Sequence, residues 1–235
     1  MDNLILQVKK ELISNSDAKT KDGAKRFFKE SVKLYGVKTA TVSKIAREYF
    51  KKIKNSEKAE ILGLCENLWQ SGYMENSFIA CNWSFALREK YEPKDFELFE
   101  SWINGYISNW ATCDTFCNHT MGTFLEMYPQ YLPRLKEWAK SKNRWTRRAA
   151  AVSLIVPAKR GKFLKEILGI SDILLCDPDD MAQKGYGWLL KVASQAHQRE
   201  VFDYVMANKS AMPRTALRYA IEKMPKSLKE KAMDK

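Results

Sequence analysis

Histidine is almost missing from this sequence, with two among 235 residues, and cysteine and glycine are sparse at five and ten. Each scarcity excludes a class of chemistry. Neither histidine sits beside a candidate nucleophile, so hydrolase triads have no base. The glycines nowhere gather into a phosphate-cradling loop, which leaves nucleotide-dependent activities unsupported. The cysteine count is odd and lacks disulfide spacing, as expected in a reducing compartment. Cys113 and Cys117 are four apart, but His119 falls on a different helical face from that pair, so buried thiols are expected rather than zinc ligands. No apolar run approaches the ~18 residues of a membrane span. The start, Met1-Asp2-Asn3-Leu4-Ile5-Leu6-Gln7, has neither the basic region nor the cleavage site of a signal peptide. A soluble, cytoplasmic chain is expected.

Period-two alternation is lacking as well, whereas apolar residues recur at helical spacing almost throughout, as in Val42-Ile45-Ala46-Tyr49-Phe50-Ile53. Breaks at Tyr35-Gly36, Glu92-Pro93, Val156-Pro157, Asp177-Pro178, Met212-Pro213 and similar pairs mark out about a dozen helices of about 10–18 residues. Asp177 is expected to cap one of them with Pro178 in the first helical position. So many short antiparallel helices cannot surround one four-helix core, and stacked pairs are the natural solution. Trp69, Trp102 and Trp138 recur near helix ends at intervals of 33 and 36 residues, in the range of helical repeats. The expected fold is all-α, a curved right-handed solenoid of stacked antiparallel helix pairs. No linker-like stretch divides it, so residues 1–235 read as a single domain.

The net charge is +12, and it is unevenly placed. Between Arg134 and Lys165 eleven bases stand against one acid, Glu137, an excess of ten in one segment. From Glu66 to Met127 nine acids outnumber three bases. Basic stretches interleaved with tryptophan suit a phosphate backbone, whose neutralisation releases counterions. The alternative is a solvated helix face.

Three segments could carry chemistry. In Ser108-Asn109-Trp110-Ala111-Thr112-Cys113-Asp114, a cap at Ser108 or Asn109 puts Trp110 and Asp114 on one face, one turn apart; Asp114 could instead pair with a neighbouring Arg. In Asn143-Arg144-Trp145-Thr146-Arg147-Arg148-Ala149-Ala150-Ala151, Asn143 can cap, and arginines at a helix start oppose the dipole unless they meet phosphates or a carboxylate; an adjacent acidic helix would serve equally. In Gln183-Lys184-Gly185-Tyr186-Gly187-Trp188-Leu189-Leu190-Lys191, two helical glycines costing ~1 kcal/mol each should permit a close approach by a backbone or a ligand. Lys184, Trp188 and Lys191 share one face there. A stretch at Leu34-Tyr35-Gly36-Val37-Lys38-Thr39 lacks the second glycine of a helix-hairpin-helix turn and reads as a Gly-terminated helix followed by one capped at Thr39.

Taken in order, the segments resemble the AlkD family of DNA alkylation repair glycosylases, built from HEAT-like helical repeats. The likeness runs from Arg26-Phe27-Phe28-Lys29 and Tyr35-Gly36-Val37-Lys38-Thr39 through Trp110-x-x-x-Asp114 and Trp145-x-x-Arg148-Ala149-Ala150 to Gln183-Lys184-x-x-Gly187-Trp188. By that resemblance the substrate is double-stranded DNA carrying positively charged N3- or N7-alkylated purines, removed in base excision repair without extruding the base. Asp114 is then the catalytic carboxylate, Trp110 and Trp188 flank the lesion's sugar, and Arg148 holds the backbone at the lesion. Arg144, Arg147, Lys142, Lys184, Lys191, Lys159, Arg160 and Phe27 are the expected DNA contacts. No metal or other cofactor is implied, no membrane is involved, and a monomer is expected. The sequence departs from the family pattern at Asn109 and Ala111, which flank Trp110, and at Phe27, which replaces an expected Tyr.

Two other functions fit the same helical, basic chain. One is a non-catalytic helical-repeat protein that binds branched or damaged DNA. The other is a protein-interaction scaffold whose basic groove meets an acidic partner.

Overall fold

The computed structural model describes residues 2–234, and among them the only regular structure is helical, apart from one isolated bridge between Lys33 and Tyr73. The all-α expectation holds, but sixteen α-helices replace about a dozen, because several periodic stretches break internally. By internal contacts the chain divides into two compact units, residues 1–116 and 117–235.

The first unit contains α1 (Asp2–Ser14), α2 (Ala18–Lys25), α3 (Thr39–Ile53), α4 (Lys58–Gln70), α5 (Met74–Ala86), α6 (Asp95–Gly105) and α7 (Trp110–Phe116). Helix α3 buries Val42, Ile45, Ala46, Tyr49 and Ile53, a single apolar stripe at helical spacing. Its first residue is Thr39, but no side chain caps it, and Lys38 occupies the cap position. The expected Thr39 cap is therefore replaced by Lys38 backbone acceptance, with Val42 N–H donating to the Lys38 carbonyl at 3.0 Å. Helix α5 packs on α3, α4 and α7. Trp69 and Trp102 do lie near helix ends, and their rings meet at 6.2 Å, closed off by Phe99 and Phe116. Glu66 accepts from the Trp102 indole and the Tyr106 hydroxyl, a bond that raises the Tyr106 pKa.

The segment between α2 and α3 has no helix of its own and is pinned to the rest of this unit by side chains. Gly36, at φ +96°, turns it sharply. Tyr35, Gly36 and Val37 all donate their backbone N–H groups to the buried Glu75 carboxylate, at 3.1, 2.8 and 3.1 Å. Tyr35 also stacks on Tyr73, 4.1 Å between centroids and 6° from parallel.

The second unit opens with a π-helical stretch, Cys117–Met121, followed by α8 (Gly122–Met127), α9 (Leu132–Trp138), α10 (Arg144–Val152), α11 (Ile155–Lys159), α12 (Leu164–Leu174), α13 (Asp180–Ala193), α14 (Gln198–Asn208), α15 (Arg214–Ala220) and α16 (Lys226–Met233). Helix α13 is its centre, packed against α10, α11, α12 and α15. The expected break at Pro157 falls earlier, at Ser153-Leu154, because Pro157 is tolerated in the first turn of α11, where its missing N–H would have had no helical partner. The start of α13 is also shifted. Asp179, not Asp177, is the cap, accepting from Met181 and Ala182 N–H at 2.9 and 3.2 Å. Asp177 is held instead by the Arg147 guanidinium and by Asp179 N–H.

Cys65, Cys81, Cys113 and Cys117 are buried thiols, and burial drives the Cys65 pKa upward. Cys176 differs, being exposed. No helix among the described residues is long and apolar enough to cross a membrane.

Candidate functional site

Helix α7 begins where Asn109 accepts Thr112 N–H at 3.0 Å, so Asn109 supplies the cap. With that start, Thr112, Cys113 and Phe116 point into the core, and Trp110, Ala111, Asp114 and Thr115 form a half-buried face. Trp110 and Asp114 are thus one turn apart on that face, as their spacing requires. The tryptophan is fixed from the other side by the segment before α3: its Nε1–H donates to the Phe27 carbonyl at 3.3 Å, and its ring lies 5.4 Å from that of Phe28, tilted by 21°. Phe27 itself turns its ring outward and is 75% exposed. Sequence reasoning chose Phe27 for DNA contact and overlooked Phe28. The paired aromatics Phe27-Phe28 were visible, but which of the two faces inward depends on the chain path after α2.

In the second unit Arg148 is buried at 5% exposure, and its Nη1 donates to the Met181 carbonyl at 2.6 Å. Gly185 faces Arg148, but a Cβ there would lie 3.4 Å from Arg148 Cγ, an ordinary contact. Gly187 is what lets α15 approach, since a Cβ there would fall 2.8 Å from the Ala216 carbonyl and from Tyr219 Cβ. The expected close approach is therefore made at Gly187 and not at Gly185, and the approaching group is protein. Trp188 is half-buried on the same helix.

Much of the basic segment is paired with acids in its own unit. Arg144 reaches Asp179 at 2.9 Å and Asp180 at 3.6 Å. Arg147 grips Asp177 with two bonds, 2.6 and 3.1 Å, and also donates to the Ser141 and Lys142 carbonyls. Lys184 pairs with Asp180 at 3.1 Å, Lys191 with Glu222 at 3.0 Å, and Arg160 with Glu126. For Arg144 and Arg147 the acidic neighbour left open by the sequence is the start of α13, with Asp177, Asp179 and Asp180. Lys136, Lys140, Lys142, Lys159 and Lys165 are exposed and make no ion pair among the described residues. These five ammonium groups are the part of the positive field still open to a polyanion.

No group of three or more His, Cys, Asp or Glu side chains among the described residues could hold a metal ion.

Fold and local geometry together define an all-helical protein that carries an indole and a carboxylate one turn apart on one helix and a lysine-rich surface in its second unit. The chain belongs to the DNA alkylation repair enzyme family, whose model matches residues 8–224. Among solved structures it is similar to one described as a predicted DNA alkylation repair enzyme from Enterococcus faecalis, with a TM-score of 0.81 at 14% identity, over 90% of this chain and 98% of that one. At that identity the likeness is one of fold. No curated protein matches the sequence.

Proposed function

We propose that this protein is a monofunctional DNA glycosylase that removes N3- and N7-alkylated purines from duplex DNA. The observation that carries the reading is the Trp110–Asp114 pair on the half-buried face of α7, within a chain of the DNA alkylation repair enzyme family.

The chemistry asks little of the protein. An alkylated purine is cationic, so its glycosidic bond is already weakened. When the C1′–N bond breaks, its electron pair goes to the base and cancels the positive charge, leaving an oxocarbenium-like sugar. The Asp114 carboxylate stabilises that cation and positions water. The water oxygen bonds to C1′, and its proton passes to the carboxylate and on to solvent. The Trp110 face, electron-rich and held by Phe28, attracts the same developing charge. In the second unit the half-buried Trp188 is a further indole available to DNA, whereas Arg148 is buried with its Nη1 on the Met181 carbonyl and serves to position α13. Lys142, Lys159, Arg160 and the outward ring of Phe27 are the remaining expected contacts with exposed side chains, Arg160 being paired with Glu126.

The test is release of N7-methylguanine and N3-methyladenine from methylated duplex, with Asp114→Asn as control. The expected result is excision by the wild type, loss of at least about 100-fold in the variant, and retained DNA binding. Folded wild type that binds duplex without releasing either base would replace this reading with a non-catalytic DNA binder. Absence of duplex binding even at low salt would favour a protein-interaction scaffold.

A further inference from the structure

One cationic hollow lies outside every residue assigned above. Arg214, Thr215, Arg218, Tyr219 and Glu222 line an open depression of about 390 Å³ on α15. Arg214 and Arg218 are one turn apart and exposed, and neither guanidinium has a hydrogen-bond or ion-pair partner among the described residues. Like charges at this spacing repel, and neither cation is matched by an ion pair among the described residues. The one acid on the rim, Glu222, is already taken by Lys191 at 3.0 Å. The same Lys191 ammonium sits 5.4 Å from the centre of the Tyr219 ring. The hollow is also fixed in place, because Gly187 lets the backbone of α15 come against α13.

We propose that Arg214 and Arg218 form a further phosphate subsite, taking one backbone phosphate of the bound nucleic acid over the Tyr219 ring. Guanidinium forks match phosphate oxygens two by two, and a pair one turn apart can close on a single phosphodiester. The hollow is open and has no aliphatic side chain in its lining, which suits a solvated backbone group better than an acidic peptide with apolar anchors. Lys191, which reaches the lining residues Glu222 and Tyr219, stands one turn from Trp188 on α13, so the subsite adjoins the surface proposed for DNA. The proposal rests on the DNA-binding reading above.

The experiment compares wild type with the exposed double variant Arg214→Gln/Arg218→Gln, matched for thermal melting, in titrations with an undamaged 30-base-pair duplex across a salt series. The expected result is roughly tenfold weaker binding and a salt slope shallower by about 0.9, the contribution of one phosphate. Wild type that binds duplex, with a variant equal to it in affinity and slope, overturns the subsite alone. Wild type with no salt-sensitive duplex binding overturns the DNA-binding reading as well. Two further arms identify the anion. Inorganic phosphate that stabilises wild type but not the variant, with duplex binding unchanged, makes this a free-phosphate site and overturns the proposal. Variant-sensitive binding of poly-glutamate in place of duplex does the same in favour of an acidic protein partner.

Discussion

Trp110 is held between the Phe27 carbonyl, which accepts its Nε1–H at 3.3 Å, and the ring of Phe28 at 5.4 Å. An indole on a seven-residue helix is thereby positioned by a segment more than eighty residues away in sequence. An offset aromatic pair is worth about 0.5–1.5 kcal/mol. Phe28→Ala should therefore slow single-turnover excision by roughly three- to tenfold by loosening Trp110. Phe27→Ala leaves the carbonyl and the stack in place, and should weaken duplex binding while the single-turnover rate at saturating protein stays near wild type. Equal excision rates for Phe28→Ala and wild type would remove Phe28 from the positioning role.

Asp177 and Arg147 form a two-bond ion pair whose side chains are only 5% and 15% exposed. Removing one partner of such a pair leaves a nearly buried charge and costs about 3–5 kcal/mol. Asp177→Ala should lower the melting temperature by roughly 6–20 °C at about 2–4 °C per kcal/mol for a chain of this size. Adding Arg147→Met should recover part of the loss, since the stranded cation is then gone. A double variant no more stable than Asp177→Ala would show that the pair is not what Asp177 contributes.

The all-helical class was legible because apolar residues repeat at helical spacing with no competing period, as the buried stripe of α3 shows. Asn143 was legible as a cap and Asn109 as one of two candidates with Ser108, since a side-chain acceptor just before a periodic run has one local use. Asp177 misled because its local preference to cap competes with a partner 30 residues away, and the guanidinium of Arg147 wins. The same non-local pairing made Arg144 and Arg147 look more available to phosphate than they are. Glu75 and Phe28 were illegible for a related reason: their roles depend on where an irregular segment crosses the unit, which no periodicity encodes.

Three glycines in helices differ in what a methyl group would meet, and the difference predicts opposite signs. Gly63 has nothing within 4 Å, so Gly63→Ala should stabilise by about 0.5–1 kcal/mol through helix propensity. At Gly185 the nearest atom is Arg148 Cγ at 3.4 Å, an ordinary contact, and the change in stability should be small. Gly187→Ala would press a Cβ to 2.8 Å from a carbonyl of α15 and should cost about 1–3 kcal/mol. Urea midpoints for the three variants should rank Gly63→Ala above Gly185→Ala above Gly187→Ala.

Alkaline stability should depend on Tyr49. Burial, followed by its hydrogen bond with Glu11, pushes its pKa up to about 12 from 10.0. The unfolded chain gives up this proton first. The stabilisation is therefore complete below pH 10 and is lost as pH rises from 10 towards 12. Tyr49→Phe cannot ionise, so its urea midpoint should fall less steeply between pH 9.5 and 11 than that of wild type. Parallel profiles would mean that Tyr49 titrates alike in the folded and unfolded chain.

Glu75 offers the most direct check on the segment that carries Phe27 and Phe28. Its carboxylate is 2% exposed and accepts three backbone N–H groups, from Gly36 and Val37 on Oε1 and from Tyr35 on Oε2. Glu75→Gln keeps the size but turns one acceptor into a donor, so whichever way the amide points it faces at least one N–H. Hydrogen bonds to charged groups contribute about 1.5–3 kcal/mol each, and a comparable loss is expected here. The loss should be local first. Amide exchange at residues 35–37 should accelerate by tenfold or more, while the buried helix α5 that carries residue 75 keeps its protection. Because Phe28 follows the same segment to Trp110, excision should slow in Glu75→Gln although the substitution touches neither Trp110 nor Asp114. Fast exchange at 35–37 with undiminished excision would show that Trp110 is held by its own helix and does not need the segment.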